Sequence, residues 1–223
     1  MADTSHLIDR LSSEAVPARR LPPPVLRLLR WAVASLALMA LATTWHGIRS
    51  DLGAVAGDPA WLAEQALALV TALLAGFAAI SFSVPGRRGW ERLVWLPMAA
   101  FWLLVMWESA RPTMETQAIP EMAHLFCPYC FPVISIGSAL FLGADMRRAA
   151  PVAPVRMMAL LLIAGGGMAM FGERLIHDDL DAPLLIAIQI VAVVTVGALL
   201  APLGRVLFRW RRPKVNLQQK AME

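Results

Sequence analysis

Charge is what this chain has least of. Only 16% of its 223 residues are Asp, Glu, Lys or Arg, where a soluble domain carries about a quarter. With 58% of the residues apolar, so few charges cannot clothe a water-facing surface, and a soluble globular domain is excluded. Cysteine occurs twice and tyrosine once. Two cysteines leave no second pair, so a membrane disulfide-generating relay from thiols to quinone has no second station. Long hydrophilic stretches are missing as well. Outside the apolar runs lie an N-terminal segment of about 28 residues, a tail of about 18 and loops of about 5 to 15. None could hold a nucleotide-binding domain. The one glycine cluster, Gly165-Gly166-Gly167, lies inside an apolar run with no strand before it, so it is no phosphate loop. Small residues there let helix backbones approach closely.

What is present is long apolar sequence. Six runs cover roughly 29–48, 61–84, 90–107, 123–142, 155–172 and 183–204. A helix crosses about 30 Å of hydrocarbon with roughly 17–25 residues, and all six runs fall near that window. Barrel strands alternate apolar with polar residues; these runs do not. The expected fold is therefore all-α, a polytopic bundle of six transmembrane helices with both termini cytoplasmic. The chain divides into a cytoplasmic segment 1–28, a membrane domain 29–208 and a basic tail 209–223. A cleaved signal peptide competes for the first run, because Ala40-Leu41-Ala42 has the small-x-small form of a cleavage site. The long segment before it, with Pro22-Pro23-Pro24, favours a span.

Arginine placement sets the orientation. With both termini inside, 17 of the 20 Lys and Arg fall on the cytoplasmic side, and only Arg49, Arg111 and Arg174 fall outside. Basic residues near span ends resist translocation, so this split orients the chain with both termini on the cytoplasmic side of its membrane. The net charge of +4 then reflects topology and anionic lipid, and no direct nucleic-acid binding is needed to explain it. Trp31, Trp61, Trp90, Trp107 and Trp210 stand at run ends, where indole rings suit the headgroup zone.

The tetrapeptide Cys127-Pro128-Tyr129-Cys130 has the form of a glutaredoxin active site, but no strand or βαβ unit surrounds it, and the motif is a clue only in that context. Under this topology both thiols lie near the outer boundary; if the membrane is bacterial, that side is an oxidising periplasm where disulfides persist. Three readings stay open. Both cysteines can be small buried packing residues; they can form a reversible redox pair at a helix start; or, with His124 three residues before Cys127, they can hold a transient soft metal ion. No other cofactor is implied. His46, His124 and His177 and both cysteines all map to the outer layer, as do 10 of the 16 acidic residues. That clustering favours a stimulus-sensing site made of Cys127, Cys130, His124 and His177.

Transporters place ionisable groups deep in the bilayer. Here Glu64 and Gln65 sit near the outer end of the second run, Gln189 lies in the sixth, and no run has an acidic centre. Ser35, Ser81 and Ser138 are candidates for interhelical hydrogen bonds. A small membrane transporter or channel for a metal ion or solute is therefore the alternative reading, behind a regulator without enzymatic activity.

The segment 3–17 reads as a short helix, capped by Asp3 or Thr4 and ended by Pro17, with Leu7, Ile8, Leu11 and Ala15 on one apolar stripe. So short a helix needs a surface to fold on. Its polar face is mostly acidic, with Asp3, Asp9 and Glu14 against Arg10, unlike the basic faces of lipid-surface helices. A protein partner fits better.

End to end, the chain resembles the NrsF-type anti-sigma factors, six-span inner-membrane proteins that hold an extracytoplasmic-function sigma factor inactive. The likeness rests on Leu7-Ile8-x-x-Leu11, Pro17-x-x-Arg20-Leu21-x-Pro23-Pro24, Arg30-Trp31, Arg49-x-Asp51-Leu52, Asp58-Pro59, Ser83-Val84-Pro85-Gly86-Arg87, Cys130-Phe131-Pro132-Val133-Ile134, Arg147-Arg148-Ala149-Ala150-Pro151, Asp178-Asp179 and Arg209-Trp210. The resemblance implies that the N-terminal segment, through Leu7, Ile8, Leu11, Arg20 and Leu21, binds the sigma factor, and that cysteines answer metal or oxidative stress. One departure stands out. The family's second cysteine lies in the fifth loop before the Asp pair, where this chain has Ile176-His177; Cys127 would replace it locally, with His177 as a substitute ligand.

Overall fold

The computed structural model describes residues 4–13, 21–82, 89–109, 130–147, 153–177 and 195–208. Among these residues no strand occurs. The helices are α1 (Thr4–Ser13), α2 (Pro24–His46), α3 (Leu52–Val55), α4 (Pro59–Ser81), α5 (Trp95–Ser109), α6 (Cys130–Met146) and α7 (Pro154–Ile176). The last is α8 (Thr195–Leu207), with a 3-10 turn at Ala201–Leu203. The all-α expectation holds for every described element.

Proline sets three of the starts. Pro24, Pro59 and Pro154 each open a helix, where a fixed φ is pre-organised and the missing N–H would have had no partner anyway. Asp58 caps α4, its Oδ1 accepting from the Ala60 N–H at 3.0 Å. Gly47 ends α2 at φ 92°, a left-handed conformation that favours glycine. α2 thus begins at Pro24 rather than at the start of the apolar run, which brings Arg27 and Leu28 into the helix. α1 ends at Ser13; the expected stop at Pro17 and the cap at Asp3 lie outside the described residues.

α2, α4 and α7 have 23 residues each, about 35 Å at 1.5 Å per residue, and are long and apolar enough to cross a membrane. Trp95–Trp107, Cys130–Met146 and Thr195–Leu207 are apolar but shorter.

α7 is the hub, packing against α6, α4, α2 and α8. Its glycines bring the neighbours close. A Cβ on Gly165 would collide with the Ser135 carbonyl of α6, and one on Gly167 would press on the Ala68 carbonyl and Ala72 of α4. The packing role expected for this cluster is what the structure shows, and Gly166 between them faces open space. Gly204 of α8 meets Pro154 and Met158 in the same way. The buried core gathers Trp31 and Met39, Ala72 to Ile80, Ile134 and Leu142, Met157 to Ala169; α5 adds Phe101 and Val105 against Ala68.

These contacts also order the helix directions. Arg27 at the start of α2 meets Asp145 at the end of α6, Arg174 at the end of α7 meets Glu64 at the start of α4, and Gly204 meets Pro154. α2 and α7 therefore run one way, and α4, α6 and α8 the other. Pro24, Met146, Pro154 and Leu207 share one end of the bundle; His46, Pro59, Cys130 and Ile176 share the opposite end.

Two expectations fail here. Trp31 is not an interfacial ring: it is buried against Gly76 of α4, and its Nε1–H donates to the Ser138 carbonyl at 2.9 Å. The glycine leaves room for the indole, and the carbonyl satisfies its donor. Nor do the buried hydroxyls of Ser35, Ser81 and Ser138 make interhelical hydrogen bonds; none has a partner. These serines act by smallness, letting backbones close up.

Candidate functional site

Three regions of the structure carry polar chemistry. The first is the end of the bundle that holds Pro59, Cys130 and Ile176. Here Arg49, in the loop after α2, reaches the carbonyl end of α7. Its backbone N–H donates to the Leu175 carbonyl at 3.1 Å, and its Nη1 donates to the carbonyls of His177 at 3.3 Å and Arg174 at 3.5 Å. A guanidinium there complements the negative end of the helix dipole. The fork's other nitrogens grip Asp51, Nε to Oδ1 at 2.6 Å and Nη2 to Oδ2 at 2.8 Å, a bidentate match that Arg makes best. The hydrogen bonds from Arg49 hold the Asp51 carboxyl below its ordinary value of 3.8. Arg49-x-Asp51 is thus a structural device: it ties the first loop to the end of α7.

Just inside that clamp, Arg174 Nη2 pairs with Glu64 Oε2 at 3.0 Å, their side chains 11% and 5% exposed. Glu173 and Gln65 are buried at the same level, and neither amide atom of Gln65 has a hydrogen-bond partner. Such a layer inside an apolar bundle is expensive to desolvate, which is why Glu64 comes paired with Arg174.

The second region is the opposite end. Arg27 Nε meets Asp145 Oδ2 at 2.6 Å, with the Arg27 side chain 2% exposed, and Arg27 Nη2 approaches the Met146 sulfur at 3.7 Å. The third is α1. None of its described side chains belongs to either core cluster, and Ile8 is 59% exposed.

The model of the family described as "NrsF: Negative regulator of sigma F" matches residues 11–210. The chain belongs to the NrsF family. No curated protein and no solved structure matches it.

Within this NrsF-family chain the sequence-based site residues divide. His124 and Cys127 lie outside the described residues. Cys130 opens α6 and is buried. His177 caps the end of α7, its N–H donating to the Glu173 carbonyl at 2.9 Å. The register puts these two on one level. Gly172 packs against Ile134, Cys130 lies one turn beyond Ile134, and Ile176 lies one turn beyond Gly172 in the antiparallel partner. His46, at the same end, is exposed, its Nδ1 3.2 Å from the Ala42 carbonyl. Among the described residues no three His, Cys, Asp or Glu side chains converge as a metal cage would need. Of the expected partner-binding residues, Leu7, Ile8 and Leu11 are on α1, with Ile8 exposed; Leu21, 42% exposed, precedes α2; Arg20 lies outside the described residues.

Sequence reasoning missed the Arg27–Asp145 and Glu64–Arg174 pairs. The only signal available was the position of each charge just inside the end of an apolar run, where it reads first as a topology marker.

Proposed function

We propose that this NrsF-family negative regulator is a membrane-anchored anti-sigma factor for an extracytoplasmic-function sigma factor. Six helices cross the bacterial inner membrane with both termini in the cytoplasm. The N-terminal segment, α1 with Arg20 and Leu21, holds the sigma factor, and the outer layer of Cys127, Cys130, His124 and His177 governs its release under metal or oxidative stress. The chain acts by binding, without catalysis, and touches no nucleic acid itself.

The observation that carries this reading is the exposed Ile8 of α1, in a chain of a family named for negative regulation of a sigma factor. An exposed Ile on a ten-residue helix is what a helix-in-groove partner engages. Charge supports the sidedness. Arg27, Arg30, Arg147, Arg156 and Arg205 gather at the end where α2 starts, while Asp51, Asp58, Glu64 and Glu173 gather at the other. Basic residues favour the cytoplasmic side, which supports the reading that α1 faces the cytosol and Cys130 the outside.

The test is a pull-down from detergent extract with a C-terminal tag, read by mass spectrometry. A sigma factor is expected with the full chain and not after deletion of residues 1–16. Retention by the truncated chain overturns the assignment of α1, and flux in vesicles with no cytosolic partner would favour a transporter.

A further inference from the structure

We infer that the Arg27–Asp145 ion pair is the fastening through which α6 sets the position of the N-terminal docking segment; this rests on the reading that the segment holds a sigma factor. α6 is a single uninterrupted helix from Cys130 to Met146, so its two ends move together. Its far end carries Asp145. α2 begins at Pro24, one turn before Arg27, and the chain immediately preceding it contains Leu21. The ion pair therefore joins α6 to the first turn of the helix from which the docking segment emerges.

The α2–α6 seam is fastened at successive levels. Arg27 Nε and Asp145 Oδ2 lie 2.6 Å apart, Trp31 Nε1–H donates to the Ser138 carbonyl at 2.9 Å, and Gly137 admits the Leu38 side chain so closely that a Cβ would collide with it. Apolar contact alone would hold two helices together while leaving their register loose. A buried pair adds little net stability, because desolvation offsets its Coulomb gain, but breaking it strands a charge. Arg27, with its side chain almost fully buried, permits one register and penalises others. A shift of α6 along its axis must draw Arg27 with it or break its contact with Asp145.

The experiment uses the full chain in its host membrane with a C-terminal tag. The readout is the amount of sigma factor per tagged chain for the sigma factor that mass spectrometry recovers with the wild type. Asp145→Asn, present in the membrane at wild-type abundance, should retain about tenfold less, within the usual range for coupling between sites. The reciprocal exchange Arg27→Asp with Asp145→Arg should restore retention to within about twofold of wild type, which a merely destabilised bundle would not do. Undiminished retention by Asp145→Asn overturns the inference. Should that variant fail to accumulate, the exchange decides alone: an abundant exchanged chain with wild-type retention supports the fastening, and one without retention overturns it. If the wild type itself recovers no sigma factor, the docking reading falls, and the inference with it.

Discussion

Arg174 closes on Glu64 across one end of the bundle, Nη2 to Oε2 at 3.0 Å, and joins the last turn of α7 to the second turn of α4 with both side chains nearly out of solvent. Removing one member leaves a charge without its counterpart in an apolar interior. Arg174→Met is expected to lower stability by about 3 kcal/mol, and Arg174→Met with Glu64→Leu to recover most of that loss, since apolar replacement of both partners is often neutral. Thermal unfolding of the purified protein in detergent checks both; an unchanged midpoint for the single variant would contradict the pairing.

Gly165 and Gly166 differ by one position and should respond in opposite directions. Gly165→Ala drives a methyl into the Ser135 carbonyl and should destabilise by about 1–3 kcal/mol, the usual cost of overpacking. Gly166→Ala meets open space and should stabilise by up to about 1 kcal/mol through helix propensity. Equal effects in a thermal scan would refute the close α6–α7 seam.

The Arg49 clamp has a defined acid limit. Its hydrogen bonds hold Asp51 below 3.8 in the folded chain, so the carboxylate form favours the folded state. That contribution is present above the ordinary value and is lost as pH falls through the lowered one. Amide-exchange protection at Leu175 to His177 should be flat from pH 7 to pH 5 and fall only below 3.8. Arg49→Gln should lower the same protection at neutral pH. A loosening near pH 6 in the wild type would mean that another group controls this end.

Ile8→Asp puts a charge on the exposed face of α1 without touching either core cluster. Retention of the sigma factor should fall by more than tenfold, a loss above about 1.4 kcal/mol, while the thermal midpoint stays within a degree or so, as for surface substitutions generally. Loss of retention together with a lowered midpoint would place Ile8 in the bundle instead.

Cys127→Ala with Cys130→Ala should abolish or lock release of the sigma factor under cadmium or peroxide, with basal retention unchanged. A normal response from a sigma-dependent reporter would leave Cys130 as packing alone.

Helix identity was legible in the chain because long apolar runs are local signals. The starts of α2, α4 and α7 at Pro24, Pro59 and Pro154 and the Asp58 cap are local too, but hydropathy alone does not show them. The glycine cluster of α7 was legible for the same reason: small residues within an apolar run have few uses besides close packing. What the sequence hid depends on a second element. Trp31 looks interfacial until Gly76, on another helix, makes room for it. The partner of Arg27 lies 118 residues away, and an arginine at the mouth of a span explains itself by topology alone. The serines misled because the eye credits a hydroxyl with a hydrogen bond, whereas in this bundle their small volume matters more.

The distance along the chain from Ser13, where α1 ends, to Pro24, where α2 begins, is short. Fully extended, residues 14–23 reach at most about 35 Å, so a partner seated on α1 as proposed would be held within one small-protein diameter of the start of α2. The leash holds α1 and not its partner, so a partner that leaves α1 diffuses away freely. On the proposed reading, the lifetime of the α1 contact alone therefore sets how long the partner stays at the membrane.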